Sequence, residues 1–256
     1  MKNNLIYLLK PSLSFCLILL LGSCGTFKKT VDNQNLYPTK EIVTPYHNQW
    51  TIGHYQNRIK NFKENPLSYG DIVFIGNSIT EQGKNWGEKF GQEHIRNRGI
   101  SGDVTDGILA RLGEIIYHKP KAVFLLIGIN DLSNYHQGNE SRANIVYHTK
   151  IPSPEYVGNN IVKIAQQIHQ GSPKTKIYVQ TVLPNARPDL KASINLVNSI
   201  IKENEAKEYY QVIDLHSFFA DQNGLMKSEL TNDGTHLNEM GYKVWVAAEK
   251  KLVNSL

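Results

Sequence analysis

The chain has 256 residues, 40% of them hydrophobic and 20% charged, the balance of an ordinary globular protein long enough for one large α/β domain. Its 19 Gly and 10 Pro exclude a collagenous or low-complexity chain, and its net charge of +5 is scattered among acids rather than gathered into the basic stripe a nucleic-acid partner requires. Both cysteines, Cys16 and Cys24, lie near the amino terminus, so the body can hold neither a disulfide framework nor a Cys-based zinc site. The His residues show no i, i+4 pair of the helical zinc type, and no metal is indicated.

Residues 1–23 read as a targeting segment. Lys2 and Lys10 flank an apolar opening, and the run 13–21 (LSFCLILLL) is far shorter than the ~20 residues a spanning helix needs. It ends in Leu21-Gly22-Ser23-Cys24, which resembles a bacterial lipoprotein signal. The resemblance implies cleavage before Cys24, lipidation of its thiol and a place in the cell envelope. The alternative is a plain secretory signal with Cys24 incidental. Residues 24–45 are polar and aperiodic, including Lys28 and Lys29, and are expected to form a flexible tether ahead of a domain over 46–256.

From residue 46 the pattern alternates. Tyr55, Ile59 and Phe62 form an apolar stripe on an opening helix that stops before Pro66. Strands are expected at 71–75, 94–97, 123–127, 176–183 and 210–215. Helical spacing follows at Val157, Ile161, Ile164, Ala165 and Ile168, then at Leu190, Ile194, Val197 and Ile201, and a last helix spans about 239–252. Strands separated by helices imply a parallel sheet covered on both faces, with ligands outside the carboxyl ends of its strands.

Four short blocks carry the chemistry. After the first strand comes Gly76-Asn77-Ser78-Ile79-Thr80-Glu81, where Ser78 and Glu81 suit a helix capping box and Ser78 equally suits a nucleophile at a strand-to-helix turn. Gly99-Ile100-Ser101-Gly102-Asp103 is a turn, or a place where the Gly102 N–H approaches a reacting oxygen. Gly128-Ile129-Asn130-Asp131 is a turn, or sets the Asn130 amide toward an oxyanion. Asp233-Gly234-Thr235-His236 can join a carboxylate to one imidazole nitrogen and leave the other free as a base. Asp214 and His216 form a weaker, structural pair.

In this order the blocks resemble the SGNH/GDSL hydrolase superfamily over about residues 50–256, especially the branch similar to platelet-activating-factor acetylhydrolase and bacterial carbohydrate O-acetylesterases. The chain has Gly-Asn-Ser-Ile where the GDSL name has Gly-Asp-Ser-Leu. The resemblance implies a three-layer α/β/α fold with a flavodoxin-like five-stranded parallel sheet. It implies Ser78, Asp233 and His236 as catalytic residues, and Ser78, Gly102 and Asn130 as the oxyanion hole. Asn77, Asp103, Asp131, Leu132, Tyr135 and Arg187 are expected near the substrate, and no cofactor is required. The stretch 133–152 is longer than usual, and its amides and aromatic rings suit a sugar. The expected function is hydrolysis of short-chain, acetyl-type esters on carbohydrates. The alternatives are a lysophospholipase or short-chain lipase of the same fold, and an inactive glycan-binding lipoprotein.

Overall fold

The computed structural model describes residue 1, residues 36–137 and residues 147–256. The signal segment, Cys24 and residues 138–146 of the long stretch lie outside the described residues. In chain order the elements are α1 (Gln49–Glu64), β1 (Ile72–Gly76), α2 (Ser78–Glu81), α3 (Trp86–Phe90), β2 (Ile95–Gly99), α4 (Thr105–Ala110), α5 (Gly113–His118), β3 (Ala122–Leu126), α6 (Ile129–Tyr135), α7 (Pro154–Gly171), β4 (Lys176–Gln180), α8 (Lys191–Asn204), β5 (Gln211–Ile213), α9 (His216–Phe219) and α10 (Glu239–Asn254). All five expected strands form. The last two are shorter than the apolar runs suggest, because the β4–β5 ladder runs only from Tyr178–Gln211 to Gln180–Ile213.

The strands are parallel in the order β2-β1-β3-β4-β5. This is the flavodoxin-like order, whose direction reverses between β1 and β3 and opens a crevice at their carboxyl ends. Every residue of β1 and β3 is buried, as central parallel strands covered on both faces require. One face carries an aromatic ladder in register: Phe74 stacks on Phe124 at 4.7 Å, and Phe124 on Tyr178 at 4.8 Å. Trp86 of α3 covers Phe74 at 4.6 Å, and Trp245 of α10 lies 4.8 Å from Trp86. The layer formed by α4, α5, α7 and α8 packs together as the other half of the sandwich.

A second, smaller core corrects the expected boundary of the tether. Tyr37, only 5% exposed, packs with Tyr55, Ile59 and Phe62 of α1 and with Ile100 after β2. The carbonyls of Lys40 and Glu41 accept from Gln56 Nε2. Residues 36–45 therefore belong to the folded body. Their few apolar side chains lack periodicity, so only the tertiary partner reveals them. The packing also seats α1 against the loop after β2 and against α4, where Gly107 O accepts from Tyr55 Oη at 2.9 Å.

Candidate active site

Ser78 opens α2 at the carboxyl end of β1, 6% exposed. The capping-box reading is corrected here. The N-cap is Asn77, whose Oδ1 accepts from the Ile79 N–H at 3.0 Å, which leaves the Ser78 hydroxyl free of that duty. An Asp accepts the same bond, which explains why Asn serves in the GDSL position. The turn is tied to α10, because Tyr242 Oη donates to Ile79 O at 2.8 Å.

Across from it stands His236. Its Nε2 lies 2.9 Å from Ser78 Oγ and its Nδ1 lies 2.7 Å from Asp233 Oδ2. With the Nδ1–H donated to Asp233, the Nε2 lone pair faces the Ser78 hydroxyl. Asp233 Oδ1 accepts from the backbone N–H groups of Thr235 and His236, which closes the Asp-Gly-Thr-His turn on itself. Gly234, at φ +82°, lies where a Cβ would meet Ala186 Cβ at 2.4 Å. The loop after β4 props this turn: Asn185 Nδ2 donates to Thr235 Oγ1 and Ala186 N–H to Gly234 O, each at 2.9 Å. Partial burial works to raise the Asp233 carboxyl, but hydrogen bonds from His236 and Thr235 outweigh it and hold it down to about 2. It is ionised at any working pH. Hydroxyl, imidazole and carboxylate in series can move a proton from oxygen to nitrogen as the oxygen attacks a carbonyl.

The loops after β2 and β3 converge on the same crevice. Gly102 sits at φ +82°, and a Cβ there would meet Thr51 Oγ1 at 2.3 Å. Its N–H makes no hydrogen bond among the described residues. Asn130 Nδ2 donates to Asp103 O at 2.9 Å, which anchors the amide beside this loop and leaves its second hydrogen for a ligand. The loop is strapped to β1 by Ile100 N–H donating to Gly76 O at 3.0 Å.

Three residues expected to line a pocket do not. Asp103, Asp131 and Leu132 are each 0% exposed. Asp103 Oδ1 lies 3.0 Å from His47 Nε2, while its Oδ2 accepts from Arg111 Nε and Nη2. Arg111 also donates to Gly76 O and Arg98 O, so this buried pair ties the loop after β2 to the ends of β1 and β2. Asp131 accepts from the Thr105 N–H and hydroxyl. Burial lifts its carboxyl to about 7, with the Thr105 bonds pulling the other way. Asn77, 1% exposed, is used up as the cap, whereas Tyr135 and Arg187 stay at the surface, Arg187 paired with Asp189. The sequence reading overlooked Thr51, His47, Arg111 and Asn185, none of which belongs to a recognisable block. A separate concavity of about 590 Å³, lined by His169, Tyr209 and the first residues of β4 and β5, lies at the opposite end of the sheet.

Residues 74–244 match the GDSL-like Lipase/Acylhydrolase family, a span that contains Ser78, Gly102, Asn130, Asp233 and His236. The chain belongs to that family. It is a carboxylic ester hydrolase of the SGNH type. The platelet-activating factor acetylhydrolase IB subunit alpha2 of Rattus norvegicus is 29% identical over 180 residues, covering 67% of this chain and 71% of that protein, and the Homo sapiens protein matches to the same extent. Among solved structures, a GDSL-like lipase from Bacteroides thetaiotaomicron superposes with a TM-score of 0.64 at 21% identity, covering 78% of this chain and 97% of that one. An acetylxylan esterase from Geobacillus stearothermophilus superposes at 0.57 and 18% identity, covering 72% and 94%. These two likenesses establish the shared fold of the esterase.

Proposed function

We propose that this esterase removes acetyl groups from carbohydrates through an acyl-serine intermediate. His236 takes the Ser78 proton as Oγ attacks the ester carbonyl, then protonates the departing sugar oxygen. Water, deprotonated by the same His236, releases acetate. Asp233 fixes the imidazole tautomer and stabilises the imidazolium. The N–H groups of Ser78 and Gly102 and the Asn130 amide hold the oxyanion, each such donor being worth ~10²–10³ in rate.

Acetyl is the acyl group named in both the acetylhydrolases that share sequence with this chain and the acetylxylan esterases that share its fold. The observation that carries the alcohol is Trp50. It is 61% exposed, stacked on His54 at 4.8 Å and 12° between planes, and it precedes Thr51, whose side chain abuts Gly102. With His54 against one face and most of the residue exposed, the indole has its other face open as a platform for the apolar face of a pyranose ring. The catalytic His236 and Asp233 side chains are 31% and 45% exposed, an open mouth that suits a bulky polar alcohol. The 29% identity to the acetylhydrolases favours a second reading, an acetylated phospholipid.

Acetate release from acetylated xylo-oligosaccharides and from a 2-acetyl glycerophosphocholine separates the two. The glycan is the expected substrate, and Trp50→Ala should raise its KM about tenfold while p-nitrophenyl acetate turnover stays unchanged. Preference for the phospholipid overturns the carbohydrate reading. We further propose that Cys24 is the lipidated mature amino terminus of a cell-envelope lipoprotein, on the strength of Leu21-Gly22-Ser23-Cys24. Cys24→Ala should abolish processing, whereas an unchanged mature mass in the same membrane fraction overturns that address.

A further inference from the structure

Glu81 is three residues beyond Ser78, and the function above leaves it unused. As a capping box it would return to the start of its own helix. Instead its carboxylate crosses to the loop after β2. Oε2 accepts from the Ser101 backbone N–H at 2.5 Å and from the Ser101 hydroxyl at 2.7 Å. On its other side it meets one face of α1, with His54 Nε2 at 2.9 Å from Oε2 and Arg58 Nε at 3.4 Å from Oε1. Arg58 in turn donates to Gly99 O through Nε and Nη2, at 3.1 and 3.0 Å. His54 and Arg58 lie one helical turn apart, so both reach the same carboxylate from the same face.

The consequence concerns Gly102. The peptide group that carries the Gly102 N–H begins at the Ser101 carbonyl, and Ser101 is pinned at both its N–H and its hydroxyl. At φ +82° Gly102 has more backbone freedom than any other residue type would have there. Without an external restraint that peptide can rotate, and its N–H gains nothing from pointing into the crevice. Meanwhile Glu81 is fixed relative to Ser78, since Glu81 N–H donates to Asn77 O and Gln82 N–H to Ser78 O, at 2.9 and 2.8 Å. One side chain thus joins the helix that bears the serine to the loop that bears the glycine donor.

We propose that Glu81 is a positioning residue that presets the Gly102 N–H toward the oxyanion, with His54 and Arg58 holding its carboxylate in place. This rests on the oxyanion role given above to Gly102. Partial burial disfavours the charged form of Glu81, but the hydrogen bonds from Ser101 and His54 and the charge of Arg58 outweigh it and keep the carboxyl below its ordinary range. The clamp is ionised at neutral pH. Because the donor matters most when negative charge develops on the carbonyl oxygen, loss of the clamp acts on kcat rather than on ground-state binding.

The test measures kcat and KM on p-nitrophenyl acetate for wild type, Glu81→Ala, Glu81→Gln and Ser78→Ala, with circular dichroism and Tm for each. Glu81→Ala is expected to lower kcat about 10- to 100-fold, less than the ~10²–10³ of deleting a donor outright, with KM within about twofold. Glu81→Gln keeps an oxygen for Ser101 but gives up the charge that His54 and Arg58 meet, so its kcat should fall between wild type and Glu81→Ala. A folded Glu81→Ala with kcat within about twofold of wild type, or a loss carried by KM, overturns the proposal. So does an unfolded Glu81→Ala beside a Glu81→Gln of wild-type kcat, which marks a scaffold residue only. Ser78→Ala separates the levels. If it stays active the site assignment itself fails, and if it is dead while Glu81→Ala is normal, only the clamp fails.

Discussion

Gly102→Ala isolates what the oxyanion loop demands of its backbone. Two penalties are legible in the structure. The residue sits at φ +82°, where a Cβ costs roughly 1–2 kcal/mol. The new methyl also lands 2.3 Å from Thr51 Oγ1 and 3.0 Å from Thr51 Cγ2, an overpacking worth about 1–3 kcal/mol. The sum is about 2–5 kcal/mol, a drop readily seen in a urea or thermal melt. The two parts separate in a double-mutant cycle. Thr51→Ala removes the two nearest of three contacting atoms and leaves Thr51 Cβ at 3.1 Å, at the cost of the Thr51 Oγ1–Asn48 Oδ1 hydrogen bond, about 1 kcal/mol. In the Gly102→Ala background it should recover most of the steric share, giving a favourable coupling of about 1–2 kcal/mol, while the φ penalty persists. Activity should not return with stability, because the displaced N–H still misses the oxyanion. Strict additivity within ~0.5 kcal/mol, or recovery of kcat along with Tm, would refute the reasoning.

Three further outcomes follow from the same geometry. Asn130→Ala should lower kcat by ~10²–10³ with little change in KM, and a loss expressed mainly in KM would make Asn130 a binding residue instead. Asp233→Asn should cut kcat by at least ~10² while leaving Tm nearly unchanged, since the carboxylate is 45% exposed and its work lies in orienting His236; wild-type turnover in that variant would remove Asp233 from the mechanism. Glu249, buried on α10, accepts from Gln180 Nε2 at 2.6 Å and Trp245 Nε1 at 3.0 Å, and burial lifts its carboxyl to about 8 against the pull of those bonds. A folded-state value above the unfolded ~4.3 means stability that is complete below pH ~4 and lost as pH rises through about 8. Glu249→Gln should therefore gain on wild type in Tm from pH 5 to pH 9, and a difference that stays constant with pH would show that Glu249 does not titrate in this window.

The sheet was readable in the sequence because central parallel strands are covered on both faces, so β1 and β3 appear as unbroken apolar runs. Three of the four blocks were readable because they fall just after β1, β2 and β3, where the fold places its crevice, whereas Asp233 and His236 follow no strand and were legible only from their own spacing. Glu81 shows the limit. Its spacing from Ser78 fits a capping box, and nothing local announces that Asn77 takes the cap and frees the carboxylate for Ser101. Asp103 and Asp131 misled in the opposite direction. They directly follow Gly102 and Asn130 in the chain, but their partners His47, Arg111 and Thr105 come from other parts of the chain and draw them into the interior. Tyr37 was lost for the same reason, as a lone aromatic in a polar segment whose partners are on α1 and after β2.

The central claim is that Ser78, driven by His236, is the nucleophile of this esterase. A fluorescently tagged alkyl fluorophosphonate loses fluoride as the attacking oxygen bonds to phosphorus, which traps the nucleophile, and peptide mass spectrometry then reads the modified residue. A single adduct is expected on the peptide bearing Ser78, formed far more slowly in His236→Ala and absent in Ser78→Ala. An adduct on another residue, or full labelling of Ser78→Ala, would contradict it.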